Sequence, residues 1–238
     1  HNTVSDVRTA GGITDTAGIW IGGTNTGGMI RYNRLIGNVN DGLLLLGLTS
    51  APEVHCNHIY ANERFGLRNS TVITVSATGN WWGRNTPARG TTPPRDIYWP
   101  TPSYVLWDPP IRLALTDTTL VKVGDPPRVI TATGRSDGCY LLDTTPLTFT
   151  ASMGSLGSPP SSSVLTSTIG GQATTAFTPG YIRGTATLTA TVPNAGVATT
   201  TVTIEPLNPR VITVTAYPTL IPVGYTSTIT AQVRDMYN

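Results

Sequence analysis

The chain has 238 residues, of which only 12% are charged, and its formal net charge at pH 7 is +2. It contains 42 threonines, 25 glycines and 19 prolines, and because β-branched threonine favours strands over helices, this composition predicts an all-β chain and excludes helical bundles and coiled coils. A hydrophobic content of 39% at this low net charge also excludes a disordered chain.

The charges are scattered along the chain without a run of one sign, and Lys122 is the one lysine among 15 basic residues. A protein that binds nucleic acid or an anionic membrane surface needs a basic patch, so the sequence predicts neither partner. The densest apolar run, residues 42–48, is far shorter than the roughly 18 residues that span a bilayer. We therefore expect no membrane-spanning segment.

A repeat of about 24 residues marks the first third of the chain. The motif Asn-x-aliphatic-x-x-Asn begins at Asn33 and again at Asn57, and Asn80 follows 23 residues later. A period of this length, built from short apolar segments, is typical of a solenoid in which each turn of the chain stacks on the one before. Asparagines at the same position of successive turns are expected to stack, with their amides hydrogen-bonded along the column, so we predict a structural role for them rather than a ligand-binding one.

Glycines recur with the same period, each followed by an apolar residue, at Gly18, Gly42 and Gly66. Glycine adopts positive φ more readily than other residues. We therefore expect these three glycines to lie where the chain bends with positive φ.

Residues 1–83 thus resemble the last coils of a right-handed parallel β-helix, the fold of pectate lyases and many bacterial surface proteins. The patterns Asn-x-Ile-x-x-Asn and Asn-Trp-Trp-Gly carry this resemblance, and the second often marks the final coil in such proteins. The resemblance implies that Trp81 and Trp82 cover the open apolar end of the stack, which otherwise invites edge pairing.

Residues 84–110 are rich in proline and in aromatic residues. The prolines disfavour regular pairing, whereas residues 97–99 and 104–107 are too apolar for a free linker. We predict an irregular cap against the last coil, followed by a stiff Pro109-Pro110 junction. An aromatic sugar-binding platform is the alternative role for the rings of this segment, and a glycan-binding module would use Trp20, Trp81, Trp99 or Trp107.

Residues 111–206 alternate between aliphatic residues and threonine, for example over residues 184–192. This period of two predicts half-buried antiparallel strands, and about seven of them between glycine-rich turns are typical of a β-sandwich. The region resembles the bacterial Ig-like domains of the invasin and intimin type, on the basis of residues 146–149, 154–157, 170–175 and the final threonine-rich strand.

A second repeat relates residues 119–135 to residues 219–234, at a distance of 99 or 100 residues. Residues 207–238 are therefore predicted to hold the first strands of a second, incomplete Ig-like module. Two strands cannot bury a sandwich core, and the first coil is likewise open at His1. We expect either a longer chain or neighbouring subunits to complete both ends.

No catalytic constellation is recognisable in the sequence. β-Helix lyases and hydrolases use clustered acidic residues, whereas the acids of residues 1–83 are isolated. The closest approach to a cluster is Asp41, which we expect to form a surface pair with Arg64 or Arg68 of the next coil. We therefore predict no catalytic residue and no cofactor.

The segment His55-Cys56-x-His58 resembles a metal-binding cluster, but strand alternation directs His55 to the opposite face. At most two ligands then converge, whereas structural zinc needs four. We predict no metal, a buried or half-buried Cys56 and two surface histidines. Cys139 falls in a different module, so we expect the two cysteines not to be bonded to each other.

These observations favour a non-enzymatic extracellular protein, a segment of a bacterial cell-surface stalk, adhesin or fibre. We expect it to self-associate by strand addition at its open ends, or to contact neighbouring modules of the same chain or extracellular glycans. The alternative is the C-terminal scaffold and appendage of a polysaccharide-degrading β-helix enzyme, lyase or hydrolase, or a glycan-binding module.

Overall fold

The computed structural model describes residues 2–5, 17–23, 28–100, 104–116, 120–136, 138–207 and 210–234. The described residues form strands, turns and loops without a helix. The prediction of an all-β chain is therefore confirmed.

The described part of residues 2–106, which we call the parallel region, contains eleven strands. They are β1 (Asn2–Ser5), β2 (Ala17–Gly22), β3 (Met29–Arg31), β4 (Asn33–Ile36), β5 (Asp41–Leu46), β6 (Glu53–His55), β7 (His58–Tyr60), β8 (Phe65–Ser70), β9 (Thr74–Ser76), β10 (Arg95–Tyr98) and β11 (Tyr104–Leu106).

These strands form three parallel sheets, and each pass of the chain adds a strand to successive sheets. Sheet 1 has the order β1-β4-β7, sheet 2 the order β2-β5-β8-β10 and sheet 3 the order β3-β6-β9-β11. The register follows the sequence repeat, since Leu43 pairs with Leu67, 24 residues later. Aliphatic side chains from all three sheets, such as Leu35, Leu45 and Val54, share one buried core.

Residues 84–110 were predicted to be irregular, and this prediction is wrong for β10 and β11. In β10, Ile97 pairs with Leu67 of β8, and in β11, Val105 pairs with Val75 of β9. The described prolines of this segment lie outside the two strands. The pass is 30 residues long here instead of 24, and the parallel pairing is retained.

The described part of residues 112–205, which we call the two-sheet region, contains ten strands. They are β12 (Arg112–Thr116), β13 (Leu120–Lys122), β14 (Arg128–Ser136), β15 (Cys139–Tyr140), β16 (Pro146–Ala151), β17 (Ser155–Leu156), β18 (Ser163–Ser167), β19 (Gln172–Thr178), β20 (Gly184–Thr191) and β21 (Val197–Glu205).

These strands form two sheets that share one core. Sheet 4 has the order β12-β14-β19-β17, with β15 paired to β14, and sheet 5 has the order β13-β21-β20-β16-β18. All pairs are antiparallel except β13 with β21. The alternation of β20 explains its position, because Ala186, Leu188 and Ala190 are buried in the core while Thr185 and Thr187 are exposed.

Strands β22 (Val211–Tyr217) and β23 (Thr228–Arg234) form a separate antiparallel hairpin. Val211 pairs with Arg234 as Arg112 pairs with Arg135 in β12 and β14, so the sequence repeat is also a repeat of strand register. Every residue of β22 and β23 is exposed.

Candidate functional site

The predicted structural asparagines lie in a column along sheet 1. Asn33 Nδ2 donates to Asn57 Oδ1 at 3.1 Å, and Asn57 Nδ2 donates to Asn80 Oδ1 at 3.0 Å. Each acceptor oxygen also receives the backbone N–H of the asparagine before it, at 3.0 and 2.9 Å. Because a buried amide needs partners for all its polar groups, this column satisfies itself and leaves no asparagine side chain free for a ligand.

A second, shorter column of asparagines lies five residues further along each pass. Asn38 Nδ2 donates to Asn62 Oδ1 at 2.9 Å, and Asn62 Nδ2 donates to the carbonyl of Leu35 at 2.9 Å. Both asparagines are buried. The two asparagines of the sequence motif therefore belong to two separate columns.

The prediction that Gly18, Gly42 and Gly66 have positive φ is wrong. Positive φ occurs instead just before each asparagine of the first column, at Tyr32, Cys56 and Gly79. The repeated glycines are needed for space, since a Cβ atom on Gly42 would lie 2.7 Å from both Asn62 Nδ2 and the carbonyl oxygen of Gly66.

Trp81 and Trp82 are both fully buried, but in different cores. The ring of Trp82 belongs to the core of the parallel region, and that of Trp81 belongs to the core of the two-sheet region. The Trp81 ring lies against Gly196, where an added Cβ atom would approach Trp81 Cη2 to 2.9 Å. The two tryptophans follow Asn80 directly, and each packs into the core of a different region.

Cys56 and Cys139 form a disulfide across the two regions, so the prediction that they are not bonded to each other is wrong. Cys56 directly precedes Asn57 and has the positive φ that recurs at this position in each pass. Cys139 is the first residue of β15. A bond between residues 83 positions apart has no local sequence signature. Cys56 lies in the parallel region and Cys139 in the two-sheet region, and the bond shows that these regions are in contact.

Hydrogen bonds also cross between the two regions. His58 is fully buried, and its Nε2 accepts the backbone N–H of Leu142 at 3.0 Å. Arg34 donates to the carbonyl of Asp143 at 2.6 Å and to Thr145 Oγ1 at 3.1 Å. We call the set Cys56, Cys139, His58, Arg34, Leu142 and Thr145 the joint.

His58 was predicted to lie on the surface, and this is wrong because the two-sheet region covers it. Burial, reinforced by the positive charge of Arg34, lowers the pKa of His58 to about 3, so the ring is neutral. His55 is half-buried, and its Nδ1 lies 2.9 Å from the carbonyl oxygen of Thr78. Among the described residues, no three His, Cys, Asp or Glu side chains are placed to hold a metal ion.

Asp41 was predicted to form a surface pair, whereas its side chain is fully buried. Its Oδ2 lies 3.7 Å from Arg68 Nη1 and 4.0 Å from Arg64 Nη1. Desolvation outweighs these two cations and raises the pKa of Asp41 to about 6. The sequence repeat predicted the pairing of Asp41 with these arginines, but not the burial of its side chain.

A second buried carboxylate, Asp96, lies between two adjoining cavities of about 350 and 390 Å³. Its Oδ2 accepts the N–H of Ala88 at 2.6 Å and lies 3.2 Å from Arg84 Nε. Burial raises its pKa. The larger cavity is also lined by residues 194–197, so it opens beside the contact between the two regions.

A third cavity, of about 430 Å³, lies beside β10 and is lined by Pro87, Arg89, Gly90, Thr91 and Trp99. We call it the tryptophan cleft. Of the tryptophans named as a sugar-binding platform, Trp99 lines the cleft and Trp107 lies under Arg89, with the guanidinium 5.0 Å from the ring centroid. Trp20 is exposed elsewhere, on β2.

Comparison of the chain with known protein families, curated proteins and solved structures gives no significant match in any of the three searches. In the part of the chain that the structure describes, no helix has the length and apolar character needed to cross a membrane.

Proposed function

We propose that the chain is a rigid structural or adhesive segment of an extracellular bacterial protein, without enzymatic activity of its own. In this proposal the parallel region is a right-handed parallel β-helix and the two-sheet region is an Ig-like sandwich. Three parallel sheets with a repeat of 24 residues support the first assignment, and two sheets around one core support the second.

The observation that carries the proposal is the Cys56–Cys139 disulfide. Disulfides persist in oxidising compartments and are rare in the cytosol of most organisms. A bond that crosses from one region to the other holds their contact in one arrangement. A protein whose function is reach or load bearing needs such fixed contacts between its parts, because a flexible linker would bend before it transmits force.

The hydrogen bonds of Arg34 support the same interpretation. Arg34 spans from sheet 1 to three acceptors of the two-sheet region: the carbonyls of Leu142 and Asp143, and Thr145 Oγ1. Charge-assisted hydrogen bonds of this kind have defined directions. The two regions are therefore joined by oriented polar contacts as well as by a covalent bond.

Two measurements on cells that make the protein test the proposal. Antibody against residues 112–205 is expected to label intact cells, and peptide mapping without reductant is expected to yield the peptide pair that contains Cys56 and Cys139. A protein that is labelled only after lysis, with both thiols free, would contradict the proposal. A cytosolic marker protein, unlabelled on intact cells, is the control for leakage.

A further inference from the structure

The tryptophan cleft takes no part in the joint and contains an exposed arginine, Arg89. The side chain of Arg89 makes no hydrogen bond and no ion pair with the residues that the structure describes. Its guanidinium is instead held over the ring of Trp107 at 5.0 Å, within the range of a cation–π contact. An arginine fixed by stacking keeps its N–H donors available, and their planar geometry matches the two oxygens of an acidic group.

The walls of the cleft are fixed by contacts to the parallel region. Arg89 forms a parallel bridge with Ile97 of β10, and the N–H of Gly90 donates to the carbonyl of Ile97 at 3.2 Å. Trp99 meets Tyr104 of β11 edge to face, with ring centroids 5.1 Å apart. Both Trp99 and Trp107 pack against the buried core. A preformed cleft loses little conformational freedom when it binds a ligand.

The lining offers two different kinds of contact. The half-buried ring of Trp99 provides a flat apolar surface, and Thr91 and Arg89 provide a hydroxyl and a cation. A sugar ring has an apolar C–H face and a polar rim, so its face can lie on the indole while its rim meets the polar groups. The cleft volume of about 430 Å³ is within the range of roughly 300 to 1,000 Å³ found for small-ligand pockets.

We propose that the tryptophan cleft binds a saccharide unit that carries an acidic group, with the sugar face on Trp99 and the acidic group on Arg89. This inference goes beyond the structural role proposed above. It does not depend on the joint, because the lining of the cleft and the residues of the joint have no member in common. Failure of one proposal therefore leaves the other standing.

Calorimetric titration of the purified chain tests the inference with three probes that share one backbone: a disaccharide with a glucuronate, the same disaccharide with a sulfate in place of the carboxylate, and the neutral disaccharide. We expect at least one acidic probe to bind about tenfold more tightly than the neutral one, which corresponds to about 1.4 kcal/mol. The difference between the two acidic probes identifies the acidic group.

Two variants and their controls assign the binding to the cleft. Arg89→Gln is expected to remove the preference for the acidic probe and to keep the weak binding of the neutral one, whereas Trp99→Ala is expected to weaken all three. The control variants Arg183→Gln and Trp20→Ala lie at exposed positions outside the cleft. They are expected to change neither the preference for the acidic probe nor the affinity for any of the three probes. Trp99→Tyr retains a stacking ring and is expected to restore most of the binding.

Two results would overturn the inference. One is that the acidic probes bind no more tightly than the neutral probe at concentrations up to about 5 mM. A dissociation constant of that size corresponds to a binding free energy of only about 3 kcal/mol. The other is an acidic preference that persists in Arg89→Gln. The melting temperature of each variant shows whether lost binding reflects the cleft or lost folding, and Trp99→Tyr provides the answer if Trp99→Ala is unfolded.

Discussion

The amide of Asn57 satisfies hydrogen-bonding groups from three successive passes of the chain. It donates to the carbonyl of Ile30 at 2.7 Å and to Asn80 Oδ1, and its oxygen accepts from the backbone and side chain of Asn33. Asn57→Ala would leave several of these groups buried without a partner, at about 1 to 3 kcal/mol each. We expect the free energy of unfolding to fall by roughly 3 kcal/mol or more, as measured by urea denaturation.

The exposed Thr49→Ala is the control for this variant and is expected to change the free energy of unfolding by less than about 0.5 kcal/mol. A loss of less than about 1 kcal/mol in Asn57→Ala would show that water replaces the column, and that the asparagines do not hold the passes together.

Gly42 illustrates a constraint of space at a single residue. Its missing Cβ atom leaves room for Asn62 Nδ2 and for the carbonyl of Gly66, each 2.7 Å from where that atom would be. Because the second neighbour is backbone, Gly42→Ala must push two passes apart, and we expect a loss of about 3 kcal/mol, as is typical of an overpacked core. Gly28→Ala is the matched control, since a Cβ there meets nothing within 4 Å, and equal thermal stability of the two variants would refute the argument.

Two buried groups give the stability opposite dependences on pH. The folded-state pKa of His58, about 3, lies below its ordinary value of 6.5, so the unfolded chain binds the extra proton and the free energy of unfolding falls as the pH falls between these values. The pKa of Asp41, about 6, lies above its ordinary value of 3.8. The folded chain then binds the extra proton, and the free energy of unfolding rises as the pH falls through that window.

These two effects oppose each other between pH 6 and 4, and Asp41→Asn removes one of them. We expect this variant to lose stability relative to the unsubstituted protein as the pH is lowered from 6 to 4, by at most about 1.4 kcal/mol per pH unit. His58→Gln is expected to show the reverse trend. Urea midpoints at pH 7, 6, 5 and 4 measure both, with the exposed Glu53→Gln as control. Parallel pH profiles for all three variants would contradict the assignment.

At the scale of the element, the hairpin β22–β23 is a strand pair without a core. Its register repeats that of β12 and β14, but Leu113 and Ile130 are buried in the first copy, whereas Ile212 and Ile229 are about two-thirds exposed in the second. An isolated two-stranded hairpin is marginal in water. We expect deletion of residues 210–238 to change the free energy of unfolding of the remaining chain by less than about 0.5 kcal/mol.

Deletion from residue 197 onward is the matched comparison for that shortened chain. It also removes β21, which pairs with β20 over eight residues and with β13, and it is expected to unfold the two-sheet region. Calorimetry of the two shortened chains distinguishes these outcomes. A clear drop in melting temperature for the shorter deletion would show that the hairpin packs against the rest of the molecule.

The elements also show which parts of the structure were predictable from sequence. Strand alternation and the 24-residue period are local patterns, so the all-β class, the column Asn33-Asn57-Asn80 and the repeat between β14 and β23 were accessible. The pairing of β10 and β11 was missed because neighbouring prolines obscured two short strands. The burial of His58 and Asp41 depends on what the chain places over them, and no spacing within the sequence encodes that cover.

At the scale of the whole molecule, the joint connects the two regions by a covalent bond and by hydrogen bonds. The disulfide closes a loop between residues 83 positions apart, and in the chain-entropy model a loop of this size stabilises the folded state by about 4.5 kcal/mol. In the protein with its disulfide we expect one calorimetric transition. In the double variant Cys56→Ser, Cys139→Ser, the hydrogen bonds of Arg34 and His58 still connect the regions, so we expect a lower melting temperature with the transition still single.

Adding Arg34→Ala to the double variant removes the remaining charge-assisted bonds to Asp143 and Thr145. Of the joint, only the bond from Leu142 N–H to His58 Nε2 then remains, and we expect the two regions to unfold in separate transitions. Arg34→Ala alone, with the disulfide intact, is the control and should retain one transition. Two transitions already present in the unsubstituted protein would mean that the joint does not couple the regions, and the rigid contact required by the proposed function would then be absent.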